Sequence, residues 1–337
     1  MARVLSEGFE MKDLVGWVTT GNTAIDTTTK RSGNASLFVG SVGGFYYYAY
    51  YTLPSDLSEG YIRMGIYMSG TYSIIYMSWY HDATLLGSLR FQSDAPMKLY
   101  NSSGGTLATG SVNLLPGLWN LIELHIKIAD AGNLDVRIDE STDASLSYAG
   151  DTKPGADTTF NRIRFDSGDG LSLYVDDIAV NDTTGGVDDS WPGEGKIIMM
   201  YPNDDVTTEL TQFPALTDHH ADVDDFPADG DTTYVQGTVV DEEDLYELTA
   251  SGLVAADVDS ISRVWVESRT KDTVSAAGEV ALFIVSNATE GTGADVVLTT
   301  SYTKKILSQE FLQDPDGPAA WSVAALDALQ GGVRTRA

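Results

Sequence analysis

The 337-residue chain contains no cysteine, which rules out a disulfide framework, thiolate metal sites and cysteine nucleophiles. Bases are scarce: 20 lysines and arginines stand against 49 aspartates and glutamates, giving a formal charge of -29 and a pI near 4.1. So acidic a chain repels nucleic-acid phosphates and anionic lipid surfaces, and a role in reading or coating nucleic acid is set aside. No apolar run reaches the length of a membrane span. The opening MARVLSEGFEMKDLVGW has no signal-peptide core, because Ser6, Glu7, Glu10, Lys12 and Asp13 interrupt its apolar residues. The expectation is synthesis in the cytoplasm and, if the protein leaves the cell, release by another route such as lysis.

Several catalytic signatures are missing as well. There is no G-x-S-x-G elbow and no phosphate-binding glycine loop opening a helix. The acids Asp222, Asp224, Asp225, Asp229 and Asp231 do not follow the spacing of an EF-hand loop. His219 and His220 are adjacent, so on a strand they would point to opposite faces rather than share a metal. No residue is nominated as catalytic, and the protein is expected not to be an enzyme.

What is present is apolar and aromatic material, 42% and 10% of the residues, enough for real cores. It comes in short runs, such as YIRMGIYM, WNLIELHIKI, LDVRIDE and EVALFIVS, separated by turn-forming stretches such as NSSGG and DAGN. Only WSVAALDALQGG has a helical pattern, with Ser322 placed to cap it and Gly331 or Gly332 to stop it. The expected fold is all-β: two β-sandwich, jelly-roll-like domains at 1–182 and 196–337. A Gly/Asp-rich linker at 183–195 joins them.

Two stretches invite a chemical reading. In FYYYAYY, strand alternation places Phe45, Tyr47, Ala49 and Tyr51 on one face and Tyr46, Tyr48 and Tyr50 on the other. Tyrosine rings stack on sugar rings and also make protein contacts, so Tyr46, Tyr48 and Tyr50 are the candidate glycan platform. In LSLYVDDIAVND, the apolar parity of Leu171, Leu173 and Val175 slips to that of Ile178 and Val180. The slip falls at Asp176 and Asp177 and reads as a β-bulge.

LSEGFEM at the start, KRSGNASLFVG and the closing LYVDDIAVND together resemble the concanavalin-A/laminin-G-like jelly rolls and related carbohydrate-binding modules. That resemblance implies neighbouring first and last strands. It also implies a structural calcium, held by Glu7 or Glu10 with Asp176 or Asp177, as the one cofactor to test. In the second half, YPNDDVTTELT and AAWSVAALDALQGGVRTRA resemble a domain of tailed-bacteriophage virion proteins. Asn203, Asp204 and Asp205 stand where glycine is common there, and Asp327 replaces the usual Asn. This resemblance implies a non-enzymatic protein on the exterior of a phage head or tail. Its partners would be other virion proteins, either capsid or tail, with a homo-oligomer, a trimer, as the expected state and a host surface glycan as a further ligand. The alternative is a carbohydrate-binding adhesin or glycan-degrading protein that uses the N-terminal jelly roll.

Overall fold

A computed structural model describes residues 3–41, 45–70, 75–92, 95–168, 170, 172–215, 218–273, 278–306, 311–317 and 319–336. The chain forms two compact units, Met1–Ile198 and Met199–Ala337. Both are built from antiparallel strands, as expected.

In the first unit the strands are β1 (Arg3–Glu7), β2 (Trp17–Thr19), β3 (Thr23–Asp26), β4 (Ser36–Val39) and β5 (Tyr47–Leu57). Next come β6 (Glu59–Met68), β7 (Ile75–His81), β8 (Thr84–Phe91), β9 (Lys98–Asn101) and β10 (Thr106–Thr109). The last five are β11 (Trp119–Lys127), β12 (Gly132–Ile138), β13 (Ser141–Gly150), β14 (Phe160–Ser167) and β15 (Leu173–Asp182). One sheet has the order β13-β12-β11-β6-β15-β4-β3, with β1 paired to β15. The other has the order β10-β9-β8-β7-β14-β5-β2. Hairpins supply several of the connections. The loop between β12 and β13 is Asp139–Glu140, both at positive φ (47° and 63°), which matches the twist of the flanking strands.

The core between the sheets is filled by alternate residues of each strand: Ile62, Met64 and Ile66, Ile122 and Leu124, Met77 and Trp79, Ile163 and Phe165. Each fully buried large apolar side chain contributes about 1.5 to 3 kcal/mol relative to exposure. β6 and β11 are also buried on their outward side, at Arg63, Glu123 and His125. A segment of chain covers them there. Residues 183–195, expected as the Gly/Asp-rich linker, fall within the first compact unit, whose boundary is at Ile198.

The second unit contains β16 (Pro202–Thr208), β17 (Thr211–Phe213), β18 (Tyr234–Gln236), β19 (Glu243–Leu248), β20 (Glu267–Thr270) and β21 (Glu279–Ser286). It continues with β22 (Thr289–Thr292), β23 (Val296–Val297), β24 (Thr303–Ile306), the helical turn α1 (Val323–Leu326) and β25 (Gln330–Thr335). Its main sheet runs β16-β19-β25-β21-β22 with β23 beside β21, and β17–β18 and β20–β24 form two ribbons. A small core joins Leu282, Ile284, Phe311, Trp321, Leu326 and Leu329. Ser322 caps α1 as expected, its Oγ accepting from the Ala325 amide at 3.1 Å. Gly331 and Gly332 do not stop the helix; they lie within β25. A Cβ on Gly332 would meet the Phe283 ring at 2.5 Å, so glycine here lets the neighbouring aromatic lie against the backbone.

Candidate functional site

Two regions of the first unit bring chemistry-bearing residues together, one on the outward face of each sheet. On the seven-stranded sheet, Ala49, Met77, Trp79, Leu89, Leu99, Ile163 and Phe165 point into the core. Their strand neighbours therefore point out. The strand registers align them in two rows. Tyr50 lies beside Arg164, then Ser78, Ser88 and Tyr100. Tyr48 lies beside Asp166, then Tyr76, Arg90 and Lys98. Arg162 and Tyr80 form a further pair at one end.

These side chains organise one another. The Arg164 guanidinium lies over the Tyr48 ring, 3.8 Å from its centroid, and that of Arg162 over Tyr50 at 4.3 Å. Tyr48 and Tyr50 are stacked at 6.2 Å. Such cation–ring contacts contribute about 0.5 to 1 kcal/mol at exposed sites and hold the rings in place. Arg164 Nε donates to Asp166 Oδ1 at 2.9 Å, and Arg90 donates to the Tyr100 hydroxyl at 3.3 Å and to Gln92 Oε1 at 2.7 Å. Burial raises the Asp166 carboxyl above its ordinary range, opposed by its bond to Arg164. Burial also raises the phenols of Tyr76 and Tyr80, so both stay neutral donors at physiological pH.

The tyrosine candidates fall as the alternation predicts. Tyr48 and Tyr50 stand on the outward face, Tyr47 and Tyr51 pack against the core, and Tyr46 is 50% exposed just before β5. Sequence reasoning missed Tyr76, Tyr80, Tyr100 and the four bases on β8, β9 and β14. The available signals were the alternations in YMSWY and RIRFD, which place Tyr76 with Tyr80 and Arg162 with Arg164.

The acidic candidates lie on the eight-stranded sheet. The pairing of β15 with β6 slips between Asp176 and Ala179, and Asp177 adopts φ 51°, so the expected bulge is present. Val175 and Ile178 remain in the core, and both aspartates are completely buried on the other side. Leu171, the first member of the parity pattern, lies outside the described residues. Asp176 accepts from the amides of Arg31 (2.8 Å), Ser32 (3.2 Å) and Asp177 (2.7 Å). Asp177 accepts from Arg31 Nη1 (2.6 Å), Ser32 Oγ (2.6 Å) and the Ile197 amide (2.7 Å). Glu10 Oε2 accepts from the Asn34 amide at 2.6 Å, while Oε1 is buried without a hydrogen-bond partner. A Cβ on Gly33, which has φ 54°, would meet that oxygen at 2.1 Å, so only glycine leaves room for the carboxyl group. Glu7 accepts from the Phe9 amide at 2.8 Å.

This arrangement does not fit the calcium expected at Glu7, Glu10, Asp176 and Asp177. Five of the six carboxylate oxygens of Glu10, Asp176 and Asp177 already accept N–H or O–H groups, whose hydrogens occupy the directions a cation would need. Among the described residues, no three His, Asp or Glu side chains are placed to hold a metal ion. The Arg31 guanidinium, 2.6 Å from Asp177, answers part of the charge. Burial, reinforced by Asp176, pushes the Glu10 carboxyl up to about 8. Burial, reinforced by Asp177, pushes Asp176 up to about 7.

The segment at 188–197 roofs this face. Asp188 pairs with Arg3, and the Trp191 ring meets Tyr61 edge-on at 5.1 Å and takes the Arg137 guanidinium at 4.1 Å. The Gly193 amide donates to Glu123 Oε1 at 2.7 Å, and the Gly195 carbonyl accepts from Arg31 at 2.8 Å.

No protein-family model matches the chain, and no curated protein matches it. Solved structures do. The cellulose-induced protein Cip1 matches at 18% identity over 57% of this chain and all of its own, with a TM-score of 0.45. A carbohydrate esterase from Shiga toxin-encoding bacteriophage phi24B matches at 13% identity over 53% of this chain and 97% of its own, TM-score 0.40. The exoplasmic domain of VIP36, in a form bound to Ca2+ and Man3GlcNAc, matches at 10% over 52% of this chain and 90% of its own, TM-score 0.40. These neighbours are remote likenesses of fold, each over little more than half of this chain.

Proposed function

We propose that the first unit is a carbohydrate-binding module, acting by binding and not by turnover, within a protein carried on the exterior of a tailed-phage virion. The observation that carries the glycan reading is the outward row of tyrosines. Tyr48 and Tyr50 are stacked, pinned by arginines, and joined across the sheet by Tyr76 and Tyr100. Rings held beside guanidinium donors combine apolar surface with hydroxyls, which suits the alternating C–H and O–H faces of a sugar.

The virion placement rests on the sequence resemblance of the second unit. In support, the residues carrying it have defined structural roles there. Trp321 is buried and donates from Nε1 to the Phe311 carbonyl at 2.8 Å, Ser322 caps α1, and QGGVRT forms the central strand β25. Such a protein would work as a symmetric homo-oligomer docked on other virion proteins.

The test is a glycan array with the full chain, beside the Tyr48→Ala, Tyr50→Ala double variant. The wild type should retain a set of glycans and the variant should lose at least tenfold in affinity, as for a pair of aromatic anchors. Absence of any glycan retention, or release of reducing ends from a bound glycan, overturns this reading.

A further inference from the structure

The same face carries a charge opposite to that of the whole chain. Arg90, Lys98, Arg162 and Arg164 lie on it, in rows that hold a single carboxylate among the described residues, Asp166. This is a strong segregation in a chain with 49 acids and 20 bases. Elsewhere in the first unit Arg3, Arg31, Lys127, Arg137 and Lys153 lie within 4.0 Å of a carboxylate, whereas Lys12, Lys30, Arg63 and Lys196 have no such partner among the described residues. On this face only Arg164 has such a partner among the described residues. Arg162 rests on Tyr50 beside Tyr80, and the Nε groups of Arg162 and Arg90 are buried without a hydrogen-bond partner among the described residues. The Nη groups of Arg162, held against Tyr50, present a fork that fits a carboxylate or sulfate oxygen pair, while Arg90 adds its positive charge through Nη groups already bonded to Tyr100 and Gln92.

We propose that the ligand of this face is an acidic polysaccharide with an anionic group recurring along the chain, its sugar rings on the tyrosines and its charges on Arg90, Lys98 and Arg162. This rests on the glycan reading above and narrows it to one class. The two rows cross four inter-strand gaps, about 19 Å in all, room for several consecutive sugars. The bulk acidity is compatible with this ligand. Charges more than about 8 Å away are largely screened at physiological salt, whereas the four bases are in contact range. Duplex DNA, with a charge every 1.7 Å or so, meets the -29 chain with far more repulsion than a polysaccharide bearing one charge per sugar.

The experiment is affinity electrophoresis of the full chain in gels containing alginate, dextran sulfate, a neutral β-glucan or duplex DNA, at rising salt. Arg162→Gln and Arg90→Gln are run alongside with their melting curves. Retardation by alginate or by dextran sulfate, fading with salt, supports the proposal, and the stronger of the two tells carboxylate from sulfate. Each arginine variant should then bind about tenfold more weakly at an unchanged melting temperature. If both bind as tightly as the wild type, the proposal fails. Salt-insensitive binding of the neutral glucan alone also overturns it, while leaving glycan binding intact, and preference for DNA overturns it in favour of a phosphate ligand. Binding to none of the polysaccharides overturns the glycan reading itself.

Discussion

The two outward faces of the first sandwich solve the same problem in opposite ways. Both carry charged and aromatic side chains on strands whose other side fills one core. On the eight-stranded sheet, the chain folds back over them. Asp177 is bound by Arg31, Ser32 and Ile197, Glu123 by Gly193, and Trp191 closes over Tyr61. On the seven-stranded sheet the bases and tyrosines stay partly exposed and, apart from Arg164, have no acid partner among the described residues. A face whose polar groups are mostly answered from within the chain serves stability. One whose donors are oriented but unanswered is prepared for something outside it.

The largest effect expected from this difference is at Asp177. Asp177→Ala leaves a buried guanidinium, a hydroxyl and an amide without their acceptor, and should cost about 3 to 5 kcal/mol in chemical denaturation. A loss below 1 kcal/mol would mean that the covered face is not what holds the sandwich closed. Next comes Trp191→Ala, which removes an aromatic pair and a cation–ring contact. About 1 to 2 kcal/mol should go, and limited proteolysis should cut between 183 and 195, where the wild type resists.

A subtler effect follows from pH. Glu10 and Asp176 titrate near 8 and 7 in the folded state and near 4 when unfolded, so between these values the native protein binds more protons. Stability from these groups is therefore complete below about pH 4 and declines as pH rises through 7 to 8. Glu10→Gln should flatten that decline in a pH series of melts, and a calcium chelator should leave the wild-type melting temperature unchanged. A sharp chelator-induced drop would instead place a cation among these carboxylates. Smallest of all, Arg162→Gln on the open face should cost no more than about 1 kcal/mol, the worth of its contact with Tyr50, even as it weakens binding.

Legibility in the sequence followed the same division. Features written along one strand could be read: the parity slip located the bulge at Asp176 and Asp177, and the FYYYAYY alternation separated Tyr48 and Tyr50 from Tyr47 and Tyr51. Features written across strands could not. Arg164 meets Tyr48 only because β14 lies between β5 and β7, an order that no local pattern encodes. The roofing segment misled for a different reason. Gly, Asp and Pro favour irregular backbone, and composition cannot distinguish an irregular chain that is tethered at every second residue from one that swings free. The acid cluster was found but its partners were not, since Arg31 and Ile197 are more than 140 and about 20 positions away in sequence from Asp177.

That roof also has a mechanical meaning. A chain that leaves a domain through a slack tether transmits no force until the tether is taut. Here a pull applied at Ile198 first loads the Ile197–Asp177 and Gly195–Arg31 hydrogen bonds. These two attach to the bulge of β15 and to the loop before β4, and so divide the tension between two points of the sandwich. Strand β15 is thereby spared from being peeled from its end, and the sandwich is anchored close to where the chain departs.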